Sequence, residues 1–360
     1  MDQVRREGAD CRLALRDVLP HASELARDAR GSEFLQARLE AENAQERRAA
    51  FEALLPEVPV LAGEVFGYKV VEKLLDVGTL EQRRALAQRF QGEVLRLSNK
   101  MYGCRVVQKT FQVCSPEVQV QLAGELRRGV LDCIKSMHGN HVIQKCIEQM
   151  PPDAVHFIVE AIEDNNMATS MAGHIYGCRV IQRLLEHCAP ARLEAMLGKI
   201  LADALRLAQD PYGNYVVRHI LDHGRMEHKK QIIEAIRGNV VELGKDKCAS
   251  NVVEKCVQAA TTGQHAYFLQ AERRELLRAI LGEDSDPSPP IAQLMEDRFG
   301  KYVLHCVAEY GRGEERELLR DRLQAAVPKM KKGSQAGSAV LAALNRELSQ
   351  AQGLGQGQGQ

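Results

Sequence analysis

The sequence has few aromatic residues, no tryptophan and no excess of either charge. Phenylalanine, tyrosine and tryptophan together make up 4% of its 360 residues, and 48 basic residues balance 48 acidic ones. A formal net charge of zero gives no reason to expect a basic or an acidic partner from the total alone. The total does not describe how charge is distributed, so a charged partner is not excluded.

Long apolar runs are also missing. No stretch approaches the roughly 18 uninterrupted apolar residues of a membrane helix. The first residues, MDQVRREGADCRLALRD, are charged and contain no apolar signal-peptide core. Hydrophobic residues still make up 45% of the chain, which is enough for a sizeable core. We expect a soluble intracellular protein without a membrane partner, located in the cytoplasm or, alternatively, in the nucleus or nucleolus.

The ten cysteines include no C-x-x-C pair, which argues against a zinc ribbon or a redox motif. Six of them occupy matching places in a repeat, so packing explains their number better than disulfides do. We expect them to be reduced packing or contact residues, as in a cytosol or nucleus. The matching pairs are Cys104 and Cys178, Cys114 and Cys188, and Cys146 and Cys256.

A short string recurs along the chain at a nearly fixed spacing. GCRVVQK at 103–109 returns as GCRVIQR at 177–183, and the residues that open equivalent strings are 36, 36, 36, 38, 36, 36, 51 and 37 residues apart. Self-similarity with a period of 20–50 residues is typical of solenoids, whose units stack mainly on their neighbours. The opening residues are Gly31, Gly67, Gly103, Gly139, Gly177, Gly213, Ala249, Gly300 and Gly337.

The repeat predicts a single all-α domain rather than the two or three domains that the length suggests. The segment 115–134 begins with Ser-Pro and repeats apolar residues at intervals of three and four, which indicates helix, and no run alternates strictly as a strand would. We predict one solenoid over 1–348, with an acidic, proline-rich loop insertion near 282–290. The Gly/Gln-rich tail over 349–360 is predicted to be disordered.

On a helix, the string CRVVQ separates three polar groups from an apolar pair. At about 100° per residue, Cys104, Arg105 and Gln108 fall on one face, whereas Val106 and Val107 point the other way. The equivalent strings SEFLQ at 32, YKVVE at 68, NHVIQ at 140, NYVVR at 214, SNVVE at 250 and KYVLH at 301 keep the apolar pair and vary at the polar places. We predict that the pair is core and that the polar places form a contact surface.

The second polar place is often arginine, histidine or tyrosine, whose flat groups stack on rings. Stacking groups that alternate with an amide or carboxylate are what recognition of single-stranded RNA requires. The strings MYGCRVVQK, HGNHVIQKCIE, YGCRVIQRLLEHC, PYGNYVV and SNVVEKCV resemble repeats of the Pumilio (PUF) family. The resemblance extends over about residues 16–348.

This resemblance implies a right-handed, crescent-shaped solenoid of eight three-helix repeats with partial caps at both ends. It implies a monomer that is not an enzyme and needs no cofactor. Each repeat would recognise one base of single-stranded RNA with two or three side chains. It further implies binding to mRNA 3′ untranslated regions and repression or decay through deadenylation or translational repression factors on the convex face.

The residues that would contact RNA follow from the matching places of each string. They are Ser32 and Gln36; Tyr68, Lys69 and Glu72; Cys104, Arg105 and Gln108; Asn140, His141 and Gln144; Cys178, Arg179 and Gln182; Asn214, Tyr215 and Arg218; Ser250, Asn251 and Glu254; and Tyr302 and His305.

Family usage implies adenine for a Cys/Gln pair and uracil for an Asn/Gln pair. Glu254 asks for guanine on chemical grounds, because an ionised carboxylate only accepts and guanine presents two adjacent N–H donors. Arg218 only donates, which suits the two acceptors of cytosine, so its base is predicted as a pyrimidine. Because the family binds RNA antiparallel, the repeats from Ser250/Glu254 back to Cys104/Gln108 predict the core 5′-G-(U/C)-A-U-A-3′.

The terminal repeats are less regular. Glu33 has no face to stack with and would repel phosphates, and neither Tyr68/Lys69/Glu72 nor Lys301/Tyr302/His305 matches a standard assignment. We therefore predict no base for these repeats.

A basic residue follows the last polar place in most repeats. This column could contact phosphates or form a solvated rim over apolar surface, and the sequence leaves both open. Its members are Lys73, Lys109, Lys145, Arg183, His219 and Lys255.

Three other functions fit the sequence less well. His219 and His223 in HILDH have no clear third ligand, so no metal site is expected. A nucleolar relative that binds ribosomal RNA would not need intact polar triplets in the middle repeats. A protein-binding helical scaffold would not need stacking groups that alternate with edge-recognising ones.

Overall fold

The computed structural model describes residues 1–283, 288–326, 342 and 346. Within these residues every regular element is a helix and no strand occurs, so the all-α prediction is confirmed. Gly337, the tail predicted over 349–360 and part of the insertion predicted near 282–290 lie outside the described residues.

The α-helices are numbered here in chain order. They are α1 (Asp2–Glu7), α2 (Leu15–Val18), α3 (Ala22–Ala26), α4 (Ala29–Ala41), α5 (Ala44–Leu54), α6 (Val58–Leu61), α7 (Gly67–Val77), α8 (Leu80–Arg89), α9 (Val94–Ser98), α10 (Gly103–Val113), α11 (Pro116–Leu126), α12 (Val130–Lys135), α13 (Gly139–Gln149), α14 (His156–Asp164), α15 (Ala168–Ala172), α16 (Gly177–His187), α17 (Glu194–Ala202), α18 (Ala204–Gln209), α19 (Gly213–His223), α20 (Met226–Arg237), α21 (Val240–Lys245), α22 (Ala249–Thr262), α23 (Gln270–Leu281), α24 (Pro290–Glu296), α25 (Gly300–Tyr310) and α26 (Gly313–Ala326). Short 3-10 turns cover Gly8–Asp10, Leu19–His21, Leu55–Glu57, Arg127–Gly129 and Pro190–Arg192.

The chain divides into two compact units. Unit 1 comprises Met1–Met167 and Ile175–Leu193, and unit 2 comprises Ala168–His174 and the described residues from Glu194 onward. In unit 1, α4 packs on α7, α7 on α10, α10 on α13 and α13 on α16; in unit 2, α19 packs on α22 and α22 on α25. Within each unit the helices therefore stack as in an α-solenoid.

These eight helices, α4, α7, α10, α13, α16, α19, α22 and α25, are called register helices below. The residue that opens the repeated string is position 1 of each. In α10, for example, Gly103 is position 1, Cys104 position 2, Arg105 position 3 and Gln108 position 6. Seven of the eight begin at position 1 itself, and α4 begins two residues before Gly31.

The apolar pair at positions 4 and 5 forms the core of the stack. Val106 and Val107 of α10 are 0% and 1% exposed, and the equivalent pairs of the other register helices are all fully buried. Burying a valine, leucine or phenylalanine contributes about 1.5–3 kcal/mol each. The prediction that these residues are core is confirmed, and it fixes the direction of positions 2, 3 and 6.

Position 1 is glycine in seven of the eight register helices, and in several of them the preceding short helix approaches it closely. A Cβ added at Gly103 would lie 2.6 Å from the carbonyl oxygen of Leu97, six residues earlier. A Cβ added at Gly67, Gly300 or Gly213 would also lie close to the carbonyl oxygen of the residue six places earlier. The distances are 2.7 Å for Gly67 and Gly300 and 2.8 Å for Gly213. The register helices α7, α10, α19 and α25 are thus held against the short helices that lead into them.

Replacing Gly103 with alanine is therefore expected to destabilise the fold by about 1–2 kcal/mol, because the added methyl group forces two backbones apart. Chemical denaturation of the variant and of the natural protein, with their denaturant m-values compared, measures this change in the free energy of unfolding. Gly124→Ala is the matched control. Gly124 lies inside α11 with nothing within 4 Å of an added Cβ, so the helix should gain about 0.5–1 kcal/mol. Equal effects of the two substitutions would contradict the close approach.

Several register helices begin at a side-chain cap three residues before position 1. Asp210 Oδ1 accepts from the backbone N–H of Tyr212 at 2.8 Å and of Gly213 at 2.7 Å. Asp246 and Asp297 make the same pair of bonds in front of α22 and α25. These carboxylates satisfy N–H groups that would otherwise lack a partner at a helix start.

Two predicted segments are organised differently from expectation. The helical segment predicted over 115–134 is two helices, α11 and α12, separated by the turn Arg127–Gly129. The additional residues of the longest repeat are not confined to the neighbourhood of 282–290: α22 has 14 residues where α10 has 11, and residues 263–269 connect it to α23. Apolar periodicity does not predict a turn of only three residues, because the helical spacing of apolar residues continues on both sides of it.

Candidate nucleic-acid interface

Position 2 of most register helices is buried. Its exposed fraction is between 1% and 5% in six of the eight, and only Tyr68 and Lys301 are partly exposed. The sequence placed these residues on the contact face, and the structure leaves them little open area. The six buried side chains are Ser32, Cys104, Asn140, Cys178, Asn214 and Ser250.

The buried position-2 side chains also bind backbone oxygens. Ser32 Oγ donates to the carbonyl of Phe66 at 3.0 Å. Asn140 Nδ2 donates to the carbonyl of Ser136 at 2.8 Å, and Asn214 Nδ2 to that of Asp210 at 2.9 Å. These bonds fix the side chains, so the atoms that remain for a ligand are held in one place.

Position 3 projects into solvent in every register helix. Because each position-3 side chain is followed directly by the buried pair, it extends away from the stack. This is where the sequence predicted the stacking groups. The exposed side chains are Glu33, Lys69, Arg105, His141, Arg179, Tyr215, Asn251 and Tyr302.

Position 6 lies beside position 2, one turn further along the helix, and its glutamines are anchored there. Gln108 Nε2 donates to the carbonyl of Cys104 at 3.0 Å, and Gln144 Nε2 donates to Asn140 Oδ1 at 2.9 Å. Gln36 Nε2 binds both the carbonyl and the hydroxyl of Ser32 at 3.1 Å. One end of each amide is therefore held by its own helix.

Gln182 differs from these three glutamines. It is 9% exposed, and its buried Nε2 has no hydrogen-bond partner in the described part of the chain. A buried amide without a partner costs about 1–3 kcal/mol. The sequence gave Gln182 the same role as Gln108, and nothing in the string distinguishes the two.

Two register helices carry a glutamate at position 6. Both are partly buried, and burial raises the pKa of the Glu254 and Glu72 carboxyls above their ordinary values. The charges of Arg218 and His305 oppose this rise at Glu254, and those of Lys109 and Arg105 oppose it at Glu72. Each carboxylate thus sits among cations on neighbouring register helices.

Glu254 lines a groove of about 320 Å³ in unit 2. Asn251 and Lys255 of α22 form one side of it, and Tyr302 and His305 of α25 form the other. Residues that contribute further to its walls are Arg218, Gln258, Cys306, Glu309 and Tyr310. The groove combines an acceptor with exposed rings and cations.

The four lysines and the arginine of the basic column at position 7 are paired with acids. Lys73 binds Glu40 at 3.0 Å, Lys109 binds Asp76, and Lys255 binds Asp222 at 2.5 Å, in each case across to the preceding register helix. Lys145 and Arg183 instead bind the glutamate three residues later on their own helix, Glu148 and Glu186.

The acids of this column were missed by the sequence analysis. Glu40, Asp76, Glu148, Glu186 and Asp222 all occupy position 10, three residues after the basic position 7. That fixed offset was the signal. The pairs explain how a basic column exists in a chain with no net charge, and they mean that Lys73, Lys109, Lys145, Arg183 and Lys255 already have counterions.

The terminal register helices have their own contacts. Glu33 pairs with Arg30 at 3.0 Å. The ring of Tyr68 stacks on Tyr102, with centroids 5.1 Å apart and planes 20° apart. Lys301 Nζ lies 5.1 Å from the centroid of the Tyr302 ring. These contacts involve side chains for which the sequence predicted no base.

The remaining features concern membranes, metals and cysteines. No helix in the described part is long and apolar enough to cross a membrane. Across residues 1–283 and 288–326, no cluster of three or more His, Cys, Asp and Glu side chains could hold a metal ion. All ten cysteines are free thiols, and all except Cys248 are buried.

The repeat matches a known protein family. The model of the Pumilio-family RNA binding repeat matches residues 59–89, 93–127, 130–163, 169–201, 203–237 and 239–270. These six ranges cover more than half of the chain. They include α7, α10, α13, α16, α19 and α22, whereas the repeats predicted around α4 and α25 are outside them, so a total of eight stays a prediction.

Solved structures share the fold over nearly the whole chain. The crystal structure of PUF-8 in complex with PBE-RNA is 29% identical, with a TM-score of 0.87 over 93% of this chain and 95% of that one. The Puf3 RNA binding domain bound to a Cox17 RNA 3′ UTR recognition sequence is also 29% identical, with a TM-score of 0.82 over 95% and 99% of the two chains.

Curated relatives are matched over part of their length. A Pumilio domain-containing protein of Schizosaccharomyces pombe is 30% identical over 53% of this chain, and Pumilio homolog 12 of Arabidopsis thaliana is 29% identical over 47%. Each match spans 26% of the relative. The family is one of RNA-binding repeats rather than of enzymes, in agreement with the sequence analysis. Because the family model matches six repeats over more than half of its residues, the chain belongs to the Pumilio family.

Proposed function

We propose that this chain binds single-stranded RNA sequence-specifically, with one base per register helix. The observation that carries the proposal is the pattern of side-chain exposure that the register helices repeat. Position 3 is exposed in all eight, position 6 is partly or largely buried beside position 2, and positions 4 and 5 form the core of each unit. Exposed flat groups can stack on bases, while the anchored position-6 side chains can recognise base edges.

The core proposed for α22 back to α10 is 5′-G-(U/C)-A-U-A-3′. Glu254 would accept from guanine, Arg218 would donate to a pyrimidine, Gln182 and Gln108 would bind adenine, and Gln144 would bind uracil. The 3′ UTR sequences named for the Puf3 complex support an mRNA target of this kind. We propose that the protein represses such mRNAs in the cytoplasm through deadenylation or translational repression factors.

The direct test is fluorescence anisotropy with short labelled RNAs that carry the core in a fixed flank. We expect the core RNA to bind at least tenfold more tightly than RNAs with its five bases permuted. Equal binding of both would favour the alternative of a ribosomal-RNA relative with little base selectivity. No binding to either RNA would favour a protein-binding scaffold.

The paired basic column leads to a separate expectation about salt. Lys109 is neutralised by Asp76, so replacing Asp76 with asparagine should free the lysine for an RNA phosphate. We expect Asp76→Asn to strengthen RNA binding a few-fold at low salt and to steepen the log Kd against log [salt] slope by up to about 0.7, the value for one phosphate of a single strand.

Glu160→Gln is the matched control for Asp76→Asn. It removes one exposed acid from α14, which is not a register helix, and so should leave the salt slope unchanged. An unchanged slope in Asp76→Asn as well would assign Lys109 to the solvated rim.

A further inference from the structure

Position 6 of the three register helices of unit 2 carries two basic residues and one acid. Arg218 of α19, Glu254 of α22 and His305 of α25 all line the groove of about 320 Å³. Because the three residues occupy the same position of successive helices that pack on one another, Glu254 has a basic group on each side.

Glu254 needs such neighbours if it is to stay ionised. Burial raises the pKa of its carboxyl, while the charges of Arg218 and His305 act in the opposite direction. Only the ionised form offers acceptors to both N–H donors of guanine, because a protonated carboxyl carries a donor of its own. Guanine recognition at α22 thus depends on groups that lie outside α22.

Arg218 has an N–H group that donates no hydrogen bond within the described residues. Its Nε is buried and has no acceptor in the described part of the chain, and its guanidinium carbon lies 6.0 Å from the ring centroid of Tyr215 on its own helix. No ion pair joins it directly to Glu254 within the described residues. Lys255, also in the groove, is occupied by Asp222 at 2.5 Å and by Gln258 at 2.9 Å.

We propose that Arg218 is a positioning residue for the guanine recognised by Glu254 one repeat away, in addition to any contact with its own base. The inference rests on the proposed RNA-binding function. In this arrangement the base preference of α22 is set by two register helices together, so a code that treats each repeat separately does not describe this unit.

The groove contains other titratable groups, which any pH dependence must take into account. On α25 these are His305, Cys306, Glu309 and Tyr310; on α22 there is Lys255, which is paired with Asp222; and on α19 there is Arg218. Of these, His305 acts on the Glu254 carboxyl in the same direction as Arg218, so His305→Asn is included to isolate the effect of Arg218.

The test measures the affinity ratio of two RNAs that differ only by guanine or adenine at the Glu254 place. We expect Arg218→Gln to reduce the ratio about five- to tenfold near neutral pH, and Arg218→Lys to restore most of it. Guanine preference is present above the pKa of Glu254 and is lost as the pH falls through it. In the His305→Asn background, Arg218→Gln should therefore move the midpoint of this loss to higher pH.

A double-mutant cycle separates this role from a general effect on binding. In the Glu254→Gln background, Arg218→Gln should not change the guanine-to-adenine ratio further, because the carboxylate it supports is gone. An unchanged ratio and an unchanged pH midpoint in Arg218→Gln would overturn the proposal. Failure of the natural protein to distinguish any base would instead overturn the proposed function.

Discussion

Replacing Arg105, His141 and Arg179 together with alanine is expected to weaken binding of the core RNA by at least about 3 kcal/mol, or more than 100-fold. These side chains occupy position 3 of α10, α13 and α16 in unit 1, where they project into solvent. Stacking of a base on such a group contributes about 1–3 kcal/mol. Anisotropy titration of the triple variant against the core RNA measures the loss.

The same position offers a control for this variant. Glu33 occupies position 3 of α4 and pairs with Arg30, so Glu33→Ala removes an exposed side chain that cannot stack. We expect no loss of affinity from it. All four residues lie outside the core, so the thermal midpoints should match that of the natural protein. A triple variant that binds normally would show that position 3 does not stack on bases.

Replacing Glu254 with glutamine is expected to cost about 3 kcal/mol for RNA with guanine at its place, or roughly 150-fold, the upper end of the range for one well-made base contact. The substitution keeps the shape of the side chain but turns one acceptor into a donor. That donor would face an N–H group of guanine, so a hydrogen bond is lost and two donors oppose each other. Competition between guanine and adenine RNAs gives the change in preference.

Glu72→Gln is the matched control for Glu254→Gln. Glu72 is also a partly buried position-6 glutamate with a raised pKa and cationic neighbours, but it lies on α7, outside the five helices assigned to the core. The guanine preference at the Glu254 place should stay unchanged in that variant. If Glu254→Gln keeps its preference for guanine, the carboxylate does not recognise the base.

The repeat register predicted the architecture well because burial obeys periodicity. The pair Val106 and Val107 had to face the stack once the helix was recognised, and the structure buries it completely. The exposure of Arg105 follows from the same geometry. The repeat register and helix geometry together therefore predicted the helical class, the core pair and the outward position 3.

Other features depend on side-chain partners, which periodicity does not specify. The helical wheel placed Cys104 beside Arg105, yet the cysteine is 2% exposed. The pairing of Lys109 with Asp76 requires knowing which helix lies next to α10 and at what height. The basic neighbours of Glu254, Arg218 and His305, likewise come from two other helices, so no single string contains them.

Because nearly all of the thiols are buried, their reactivity reports whether the protein is folded. Cys248, next to the start of α22, is partly exposed, while the other nine thiols are covered. Burial raises the pKa of Cys114 to about 11 and that of Cys306 to about 12, so their reactive thiolates are scarce at neutral pH. A maleimide dye would therefore attach at one defined place in the folded molecule, two residues before Ser250. The number of modified thiols would rise towards ten only as the helices unfold. Mass spectrometry of labelled samples would therefore separate folded molecules with one label from unfolded molecules with several.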